Sequence, residues 1–272
     1  MTHSTEEQSI TERGIVMGLQ VSDPIIQIQH ASITFGDFKA IKDVSTSVGK
    51  NEIRFFIGPN GAGKTTLLDA ICGKNKLSEG NILYHDGENV HQIPKMKEHK
   101  IVNAGIGRKF QAPSIFNSLT IWENMELAAA SDHSLKDSVF GSTSSEEEER
   151  IADALEFVGL YEQRDRYPGI LSHGQKQWLE MSMICVLKPR LMLLDEPVAG
   201  MGRRETERTA ELLRIIHEDC SVIVVEHDMK FVKDVSTGVT VLHEGSILCE
   251  GSIDDIQNNQ QVIDVYLGRG GE

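Results

Sequence analysis

The sequence predicts a mixed α/β fold built on a parallel sheet, and three observations support this prediction. Short apolar runs of the length expected for buried strands occur at residues 53–57, 191–194 and 221–225. Stretches with the apolar spacing of amphipathic helices alternate with these runs. The first run leads directly into a glycine-rich loop and a helix, over residues 58–72, which is the strand, loop and helix order of a parallel α/β sheet.

The glycine-rich loop matches the pattern G-x-x-x-x-G-K-[ST] without a mismatch. Its residues are Gly58, Pro59, Asn60, Gly61, Ala62, Gly63, Lys64, Thr65 and Thr66. Glycines let the backbone approach an anion closely, and the N–H groups of the loop and the following helix supply partial positive charge. We expect Lys64 to reach the β- and γ-phosphates of a nucleotide and the Thr65 hydroxyl to ligate Mg²⁺.

An antiparallel β region precedes the loop. Apolar and polar residues alternate over 25–29 and 31–35, which predicts two antiparallel strands joined by a turn, with a further turn at Gly36 and Asp37. Phe35 is a candidate platform for an adenine ring, although a core phenylalanine is an equally good interpretation of this residue taken alone. Residues 1–22 are polar without apolar periodicity, and we interpret them as a flexible leader.

A helical lobe is expected over residues 112–185. Thr120 is the predicted N-cap of its first helix, because Glu123 follows three residues later and completes a capping-box pattern. A second helix is expected over roughly residues 147–158. The last helix of the lobe is predicted to begin at Ser172.

Polar side chains stand where the predicted strands end, and an open α/β sheet collects its ligands at that edge. Gln111 follows one short strand, and Asp195 is predicted to hold the hydration shell of Mg²⁺ together with it. Glu196 can orient or deprotonate an attacking water, and His227 can contact the γ-phosphate. Each of these residue types is more often simply solvated, so the interpretation depends on their occurring together.

A second anion site is indicated at the start of the helix that Ser172 caps. The residues concerned are Ser172, His173, Gly174 and Gln175. A hydroxyl and backbone N–H groups at a helix N-terminus can bind a phosphate, although an ordinary capped helix shows the same pattern.

Composition excludes one class of partner. The chain has 27 Lys plus Arg against 41 Asp plus Glu, a formal net charge of −14, so it repels nucleic acid unless its basic residues gather on one face, and no such gathering is visible. The four cysteines form no C-x-x-C pair, which indicates reduced thiols in the cytosol. No apolar run approaches the roughly 18 residues that cross a bilayer, so we expect any membrane association to go through a partner.

Taken in order, these motifs resemble those of the ATP-binding cassette (ABC) ATPases, the nucleotide-binding subunits of ABC transporters. The resemblance extends from about residue 25 to the C-terminus and includes the adenine-stacking aromatic, Walker A loop, Q-loop, signature, Walker B strand with its glutamate, and switch histidine. It implies a P-loop NTPase fold: a RecA-like core, an antiparallel β subdomain and an inserted helical subdomain. It further implies ATP and Mg²⁺ as ligands, and a dimer in which the signature of one subunit acts on ATP held by the other.

Details of the chain resemble one branch of this family, the urea-type importer ATPases, which sit close to the branched-chain amino acid group. They lie at residues 171–180, 195–201 and 266–269. Two positions depart from the usual family pattern. His173 stands where glycine is usual, and Gly202 stands where aspartate is common, which bears on how two ATP sites communicate.

The resemblance predicts the ATP-hydrolysing subunit of a binding-protein-dependent importer, with urea as the expected solute and branched-chain amino acids as the alternative. It implies a second, different ABC ATPase, two transmembrane permease subunits and a periplasmic solute-binding protein, with this chain on the cytoplasmic face of a bacterial inner membrane. A soluble ABC ATPase of DNA repair or the ribosome is less favoured, because the chain has neither a long inserted coiled coil nor a second cassette. Glu196 and His227 argue against a binding module that has lost catalysis.

Overall fold

The computed structural model describes residues 21–108, 115–130 and 145–267. Gln111 and residues 1–20 of the predicted leader lie outside these ranges. The strands in chain order are β1 (Pro24–Phe35), β2 (Phe38–Gly49), β3 (Ile53–Ile57), β4 (Glu79–His85), β5 (Val90–Gln92), β6 (Ile106–Arg108), β7 (Leu191–Asp195), β8 (Ser221–Val225), β9 (Gly238–His243) and β10 (Ser246–Gly251). The helices are α1 (Lys64–Ile71), α2 (Glu98–Asn103), α3 (Ile121–Ala129), α4 (Ser145–Val158), α5 (His173–Cys185), α6 (Arg203–Ile216), α7 (Met229–Val235), α8 (Ile253–Gln257) and α9 (Gln260–Leu267).

A four-stranded antiparallel sheet has the strand order β2-β1-β4-β5 and shares a hydrophobic core with the larger sheet. Its first hairpin turns at residues 36–37, as predicted, with Phe35 paired to Phe38. The prediction of two separate strands over 25–29 and 31–35 was wrong, because β1 runs through both segments. The register shifts between Ile28 and Ala31, where His30 has a φ of +51°, and this bulge lets both halves pair with β2.

The larger sheet has six strands in the order β10-β9-β3-β8-β7-β6, all parallel except β10. Every residue of β3, β7 and β8 is buried, as expected for strands that are covered on both faces. Because these strands are parallel, the loops that follow β3, β7 and β8 lie along one edge of the sheet. This confirms the predicted parallel α/β core.

The two faces of the larger sheet belong to different hydrophobic cores. Phe55 faces the core that includes residues of α3, α4, α5 and α6. Phe56, its neighbour in β3, faces the core formed with α1 and the antiparallel sheet. Side chains alternate between the faces of a strand, so β3 is held from both sides and the loop after it starts from a rigid support.

The helical lobe consists of α3, α4 and α5 in the described residues. The predicted capping box at Thr120 is confirmed: its Oγ1 accepts from the Glu123 N–H at 3.1 Å, and its own N–H donates to Glu123 Oε2 at 2.6 Å. The predicted N-cap at Ser172 is confirmed as well. No helix among the described residues has the length and apolar character needed to cross a membrane.

A buried charge network joins the two sheets. Arg54, in the middle of β3, donates through Nη1 to Glu250 Oε1 at 3.2 Å and through Nε to Glu52 Oε1 at 2.5 Å. The hydroxyls of Thr46 in β2 and Thr240 in β9 donate to the same Glu250 oxygen at 2.5 and 2.6 Å. The apolar run predicted at residues 53–57 therefore contains a fully buried arginine, which the network neutralises.

Glu250→Ala should destabilise the protein strongly, because it leaves the Arg54 guanidinium buried with Glu52 as its remaining carboxylate. Removing one partner of a buried ion pair costs about 3–5 kcal/mol of unfolding free energy, measurable by urea denaturation. Glu207→Ala is the matched control, since Glu207 pairs with Arg203 on the exposed face of α6, and it should leave the urea midpoint unchanged. Equal midpoints for the two variants would show that the network does not support the fold.

Candidate nucleotide-binding site

The glycine-rich loop connects β3 to α1, and its shape is set by β9 and the turn after it. Gly58 has a φ of +144°, and a Cβ at this position would lie 2.1 Å from the carbonyl oxygen of Leu242 in β9. Ala62 O accepts from the Gly245 N–H, in the β9–β10 turn, at 3.1 Å. Only glycine permits this approach of two backbones, so the loop shape depends on strands distant in sequence.

The β1–β2 hairpin flanks the loop. A Cβ on Gly63 would lie 2.5 Å from Ile41 Cδ1 and 3.0 Å from Ala40 O, both in β2. At the turn of this hairpin, the Phe35 side chain is 51% exposed. The interpretation of Phe35 as a core phenylalanine is therefore wrong, whereas its interpretation as an adenine platform stays a prediction.

Lys64 is the first residue of α1, and its ammonium group lies inside the loop. Nζ donates to Gly58 O at 2.7 Å and to Pro59 O at 3.1 Å, and the residue is only 7% exposed. Burial lowers the pKa of Lys64, and the negative charges of Glu196 and Asp195 partly offset that effect. The loop carbonyls thus hold the Lys64 ammonium group inside the loop. A phosphate is a stronger hydrogen-bond acceptor for this group than a carbonyl and could take their place.

Asp195, the last residue of β7, lies next to the start of α1. The Thr65 hydroxyl donates to its carboxylate. Burial raises the pKa of Asp195, while this hydrogen bond and the charge of Arg108 oppose the increase. A carboxylate and a hydroxyl are the oxygen donors that Mg²⁺ prefers, so these two side chains fit that ion. The third predicted ligand, Gln111, lies outside the described residues.

Glu196 and His227 face each other across the ends of β7 and β8. Glu196 Oε1 lies 3.6 Å from His227 Nδ1, and both side chains are about half exposed (43% and 52%). Glu196 has a φ of +50°, in the left-handed region, and its N–H donates to Val225 O at 2.9 Å. A non-glycine residue in this conformation costs of order 1 kcal/mol or more, and the bond to β8 holds the backbone of Glu196 in this conformation.

Glu226 is a buried carboxylate that the sequence analysis did not single out. Its Oε1 accepts from the Val198 N–H at 3.2 Å, and its Oε2 accepts from the N–H groups of His227 at 3.0 Å and Asp228 at 3.4 Å. Burial raises the pKa of Glu226, and these backbone donors oppose the increase. The side chain therefore ties the segment after β7 to the segment that carries His227. Its place beside His227 was the available sequence signal.

Arg108 is a second contact that sequence reasoning missed. It ends β6, three residues before Gln111 in sequence, and is only 5% exposed. Its Nη1 donates to Asp69 Oδ1 in α1 and to Cys72 Sγ, the latter at 2.8 Å. The end of β6 is thereby attached to the helix that follows the phosphate loop.

The signature residues 172–175 begin α5, and two of them contact the segment after β7. Ser172 Oγ accepts from the Gln175 N–H at 3.2 Å, which closes a capping box. His173 Nε2 lies 3.0 Å from Ala199 O. Ser172 Oγ also donates to Glu205 Oε1, in the first turn of α6, at 2.8 Å. These residues therefore contact the segment 199–205 of their own chain, and Glu205 is a third residue that sequence reasoning missed.

A parallel sheet with a phosphate loop after β3, a lysine inside that loop and two acids at the end of β7, one strand removed from β3, defines a P-loop ATPase. The chain matches the family model described as ABC transporter over residues 41–199. A second model, described as branched-chain amino acid ATP-binding cassette transporter, matches residues 246–272.

Individual relatives agree with the family models. The chain is 33% identical to the high-affinity branched-chain amino acid transport ATP-binding protein LivG of Escherichia coli K12, over 91% of this chain and 99% of LivG. It is 34% identical to the probable branched-chain amino acid transport ATP-binding protein LivG of Archaeoglobus fulgidus, over 90% and 95% of the two chains.

Solved structures are similar as well. MJ1267, an ATP-binding cassette of an ABC transporter, superposes with a TM-score of 0.79 at 28% identity, over 89% of this chain and 98% of that one. The ADP conformation of MJ1267 gives a TM-score of 0.78 at 28% identity, over 90% and 99%.

The chain therefore belongs to the ABC transporter family, as an ATP-binding, ATP-hydrolysing subunit. The predicted fold class and enzyme class are confirmed. The expected urea branch is not supported, because both LivG relatives are named for branched-chain amino acid transport. The alternative solute in the sequence analysis fits better.

Glu226→Gln should lower ATP hydrolysis at least about tenfold, because misplacement of a catalytic segment by about 1 Å can cost 100-fold. The amide keeps the size of the side chain but turns NH₂ donors toward backbone N–H groups. The unfolding free energy should fall by about 1.5–3 kcal/mol, while ATP affinity changes less than about twofold because the loop at 58–66 is untouched.

Hydrolysis and equilibrium ATP binding of purified Glu226→Gln, wild type and Glu218→Gln would be compared. Glu218 is an exposed glutamate after α6, so its variant should match the wild type. Wild-type hydrolysis in Glu226→Gln would contradict a positioning role for Glu226.

Proposed function

We propose that the chain binds ATP with Mg²⁺ at residues 58–66, hydrolyses it with Glu196, and drives a branched-chain amino acid importer. The observation that carries the proposal is the convergence of cation and acids at one sheet edge. Asp195 and Glu196 lie close enough to influence the pKa of Lys64, and Glu196 lies 3.6 Å from His227.

The residues divide the binding task according to their chemistry. Lys64 exchanges its contacts to loop carbonyls for contacts to the β- and γ-phosphates, aided by N–H groups of the loop and α1. Thr65 and Asp195 hold Mg²⁺, with Gln111 as a third ligand. When bound, the ion offsets negative charge on the phosphates. Phe35 stacks on the adenine ring from the β1–β2 turn.

Glu196 and His227 act on the attacking water and the γ-phosphate. The Glu196 carboxylate orients the water or accepts its proton, because it is half exposed at the strand end and not tied up in a buried ion pair. His227 connects the γ-phosphate to Glu196. Glu226 keeps both segments in place through its three backbone contacts.

The other half of each site comes from a second ABC ATPase subunit. Ser172, His173, Gly174 and Gln175 of this chain serve ATP held by the partner, and the closing and reopening of the pair is passed to two permease subunits through Gln111 and the lobe at residues 112–127. The chain then works on the cytoplasmic face of a bacterial inner membrane. A periplasmic binding protein delivers the solute to the permease.

Branched-chain amino acids are the favoured solute class, and urea is the second candidate. Relatives named for branched-chain amino acid transport align over nine-tenths of the chain, and a family model with that description matches residues 246–272. The urea hypothesis rests only on the resemblance of residues 171–180, 195–201 and 266–269 to the urea-type branch.

Lys64→Ala should weaken Mg²⁺-ATP binding by about 30-fold or more, since losing one partner of a buried charge contact costs about 2 kcal/mol or more. Binding would be measured with a fluorescent ATP analogue.

Glu196→Gln should bind ATP as the wild type does but hydrolyse it at least about 100-fold more slowly. Hydrolysis would be measured by phosphate release. Undiminished turnover in Glu196→Gln would show that Glu196 is not the base.

Deleting the gene should abolish high-affinity uptake of labelled leucine and leave urea uptake intact. Re-expression of the wild-type chain should restore leucine uptake, whereas Glu196→Gln should not, because transport needs hydrolysis. Lost urea uptake with normal leucine uptake would reject branched-chain amino acids and favour urea.

A further inference from the structure

We propose that the Glu205 carboxylate occupies the anion-binding end of the signature helix and must leave Ser172 and Gly174 before a partner's ATP can bind there. This inference rests on the proposed function, because it concerns the step in which two subunits close on ATP. It makes Glu205 a positioning residue that opposes closure until nucleotide is present.

The carboxylate lies on the groups that a phosphate would use. Oε1 accepts from Ser172 Oγ at 2.8 Å, and Oε2 accepts from the Gly202 N–H at 3.1 Å. The Glu205 carboxylate also lies directly beside Gly174, so that a Cβ on this glycine would be 2.5 Å from Oε1. Hydroxyl and backbone N–H donors at the start of a 13-residue helix form an anion site, and here the anion is a side chain of the same protein.

Packing agrees with this assignment. Gly174 is buried although residues 172–173, which precede it, are exposed, and the group nearest to it is Glu205. A Cβ on Gly174 would lie 2.5 Å from both Glu205 Cδ and Oε1. The carboxylate is thus in van der Waals contact with the glycine, in the space where a phosphate oxygen would have to enter.

Neighbouring hydrogen-bond donors stabilise the ionised form of Glu205. The Ser172 hydroxyl is the largest cause that lowers the pKa of Glu205, followed by the Gly202 N–H, and His173 and Gly174 add smaller effects. A γ-phosphate brought to the same donors would meet a carboxylate of like charge, which is strongly unfavourable at short range. Binding of the partner's ATP therefore requires Glu205 to rotate away.

Leaving Ser172 need not unfold α6. Glu205 also closes the N-terminal turn of α6 through its bond to the Gly202 N–H, and Thr209 Oγ1 contacts its backbone carbonyl at 2.9 Å. The side chain can keep the first of these contacts while releasing Ser172. Gly202 stands where the family commonly has aspartate. Its N–H and the Ser172 hydroxyl both donate to Glu205, so this carboxylate links the signature to the segment after β7.

Glu205→Gln separates competition from a purely structural role, because the two predict opposite signs. Glutamine at this position can still cap Gly202 but carries no charge. ATP-driven association of two copies of the full chain, the second copy taking the place of the partner subunit, would be measured by light scattering with Mg²⁺, in the Glu196→Gln background that blocks hydrolysis. We expect half-maximal association at an ATP concentration about tenfold lower for Glu205→Gln. A structural role would instead weaken association.

Glu207→Gln is the matched control, because it removes the same charge two residues away on the same helix, from an exposed pair with Arg203. It should associate as the parent does. Equal association for Glu205→Gln and its parent, including none in either, would overturn the proposal. Nucleotide binding would be measured on the same samples: loss of binding in the parent rejects the proposed function, whereas intact binding with no Glu205 effect rejects this inference alone.

A second measurement follows the Glu205 carboxylate in the chain with its natural glutamate, and uses Glu205→Gln only to assign the signal. The carboxyl ¹³C signal of Glu205, assigned by its absence in Glu205→Gln, should titrate with a pKa below the usual glutamate range in the free chain. Saturating Mg²⁺-ATP should move that pKa toward the usual range, because the carboxylate has left Ser172. A pKa that stays low in an ATP-associated sample would overturn the proposal.

Discussion

Pairing of β8 between β3 and β7 positions the strand-end residues Asp195, Glu196 and His227 of the candidate site relative to the phosphate loop. Phe56 lies opposite Val225, and Val225 lies opposite Asp195, so the loop after β3, the acids after β7 and the histidine after β8 start from one level. A shift by one residue would turn the strands' side chains to the wrong faces. Both faces are buried in separate cores, and this makes such a shift costly.

The carboxylates of Glu250, Glu226 and Glu196 have different roles because their surroundings differ. Glu250 is buried and neutralises Arg54, which joins the two sheets. Glu226 is buried and accepts from three backbone N–H groups, so it orders the loops that carry them. Glu196 remains half exposed beside His227, where it can meet water. Burial and hydrogen-bond donors, more than residue type, determine whether a carboxylate stabilises the fold or is available to react with water.

The segment 198–205 connects the parts of the proposed machine. Its start is held by Glu226, its middle contacts His173 through Ala199, and its end carries Glu205 against Ser172. In the proposed mechanism, a change at the γ-phosphate that moves His227 would reach the signature helix through this one short stretch of backbone. The two departures from the family pattern, His173 and Gly202, both lie in this contact, which gives them a shared structural context.

The sequence alone determined the parallel α/β core, the phosphate loop, the helix caps at Thr120 and Ser172, and the strand-end positions of Asp195, Glu196 and His227. These depend on local patterns such as apolar runs, capping pairs and a contiguous motif. Only the tertiary structure decided that β1 is one bulged strand, that Arg54 is buried with Glu250, and that Glu205 covers Gly174. Such contacts join residues far apart in the chain, 33 positions for Ser172 and Glu205, and no local pattern records which distant side chain will neutralise or cover a group.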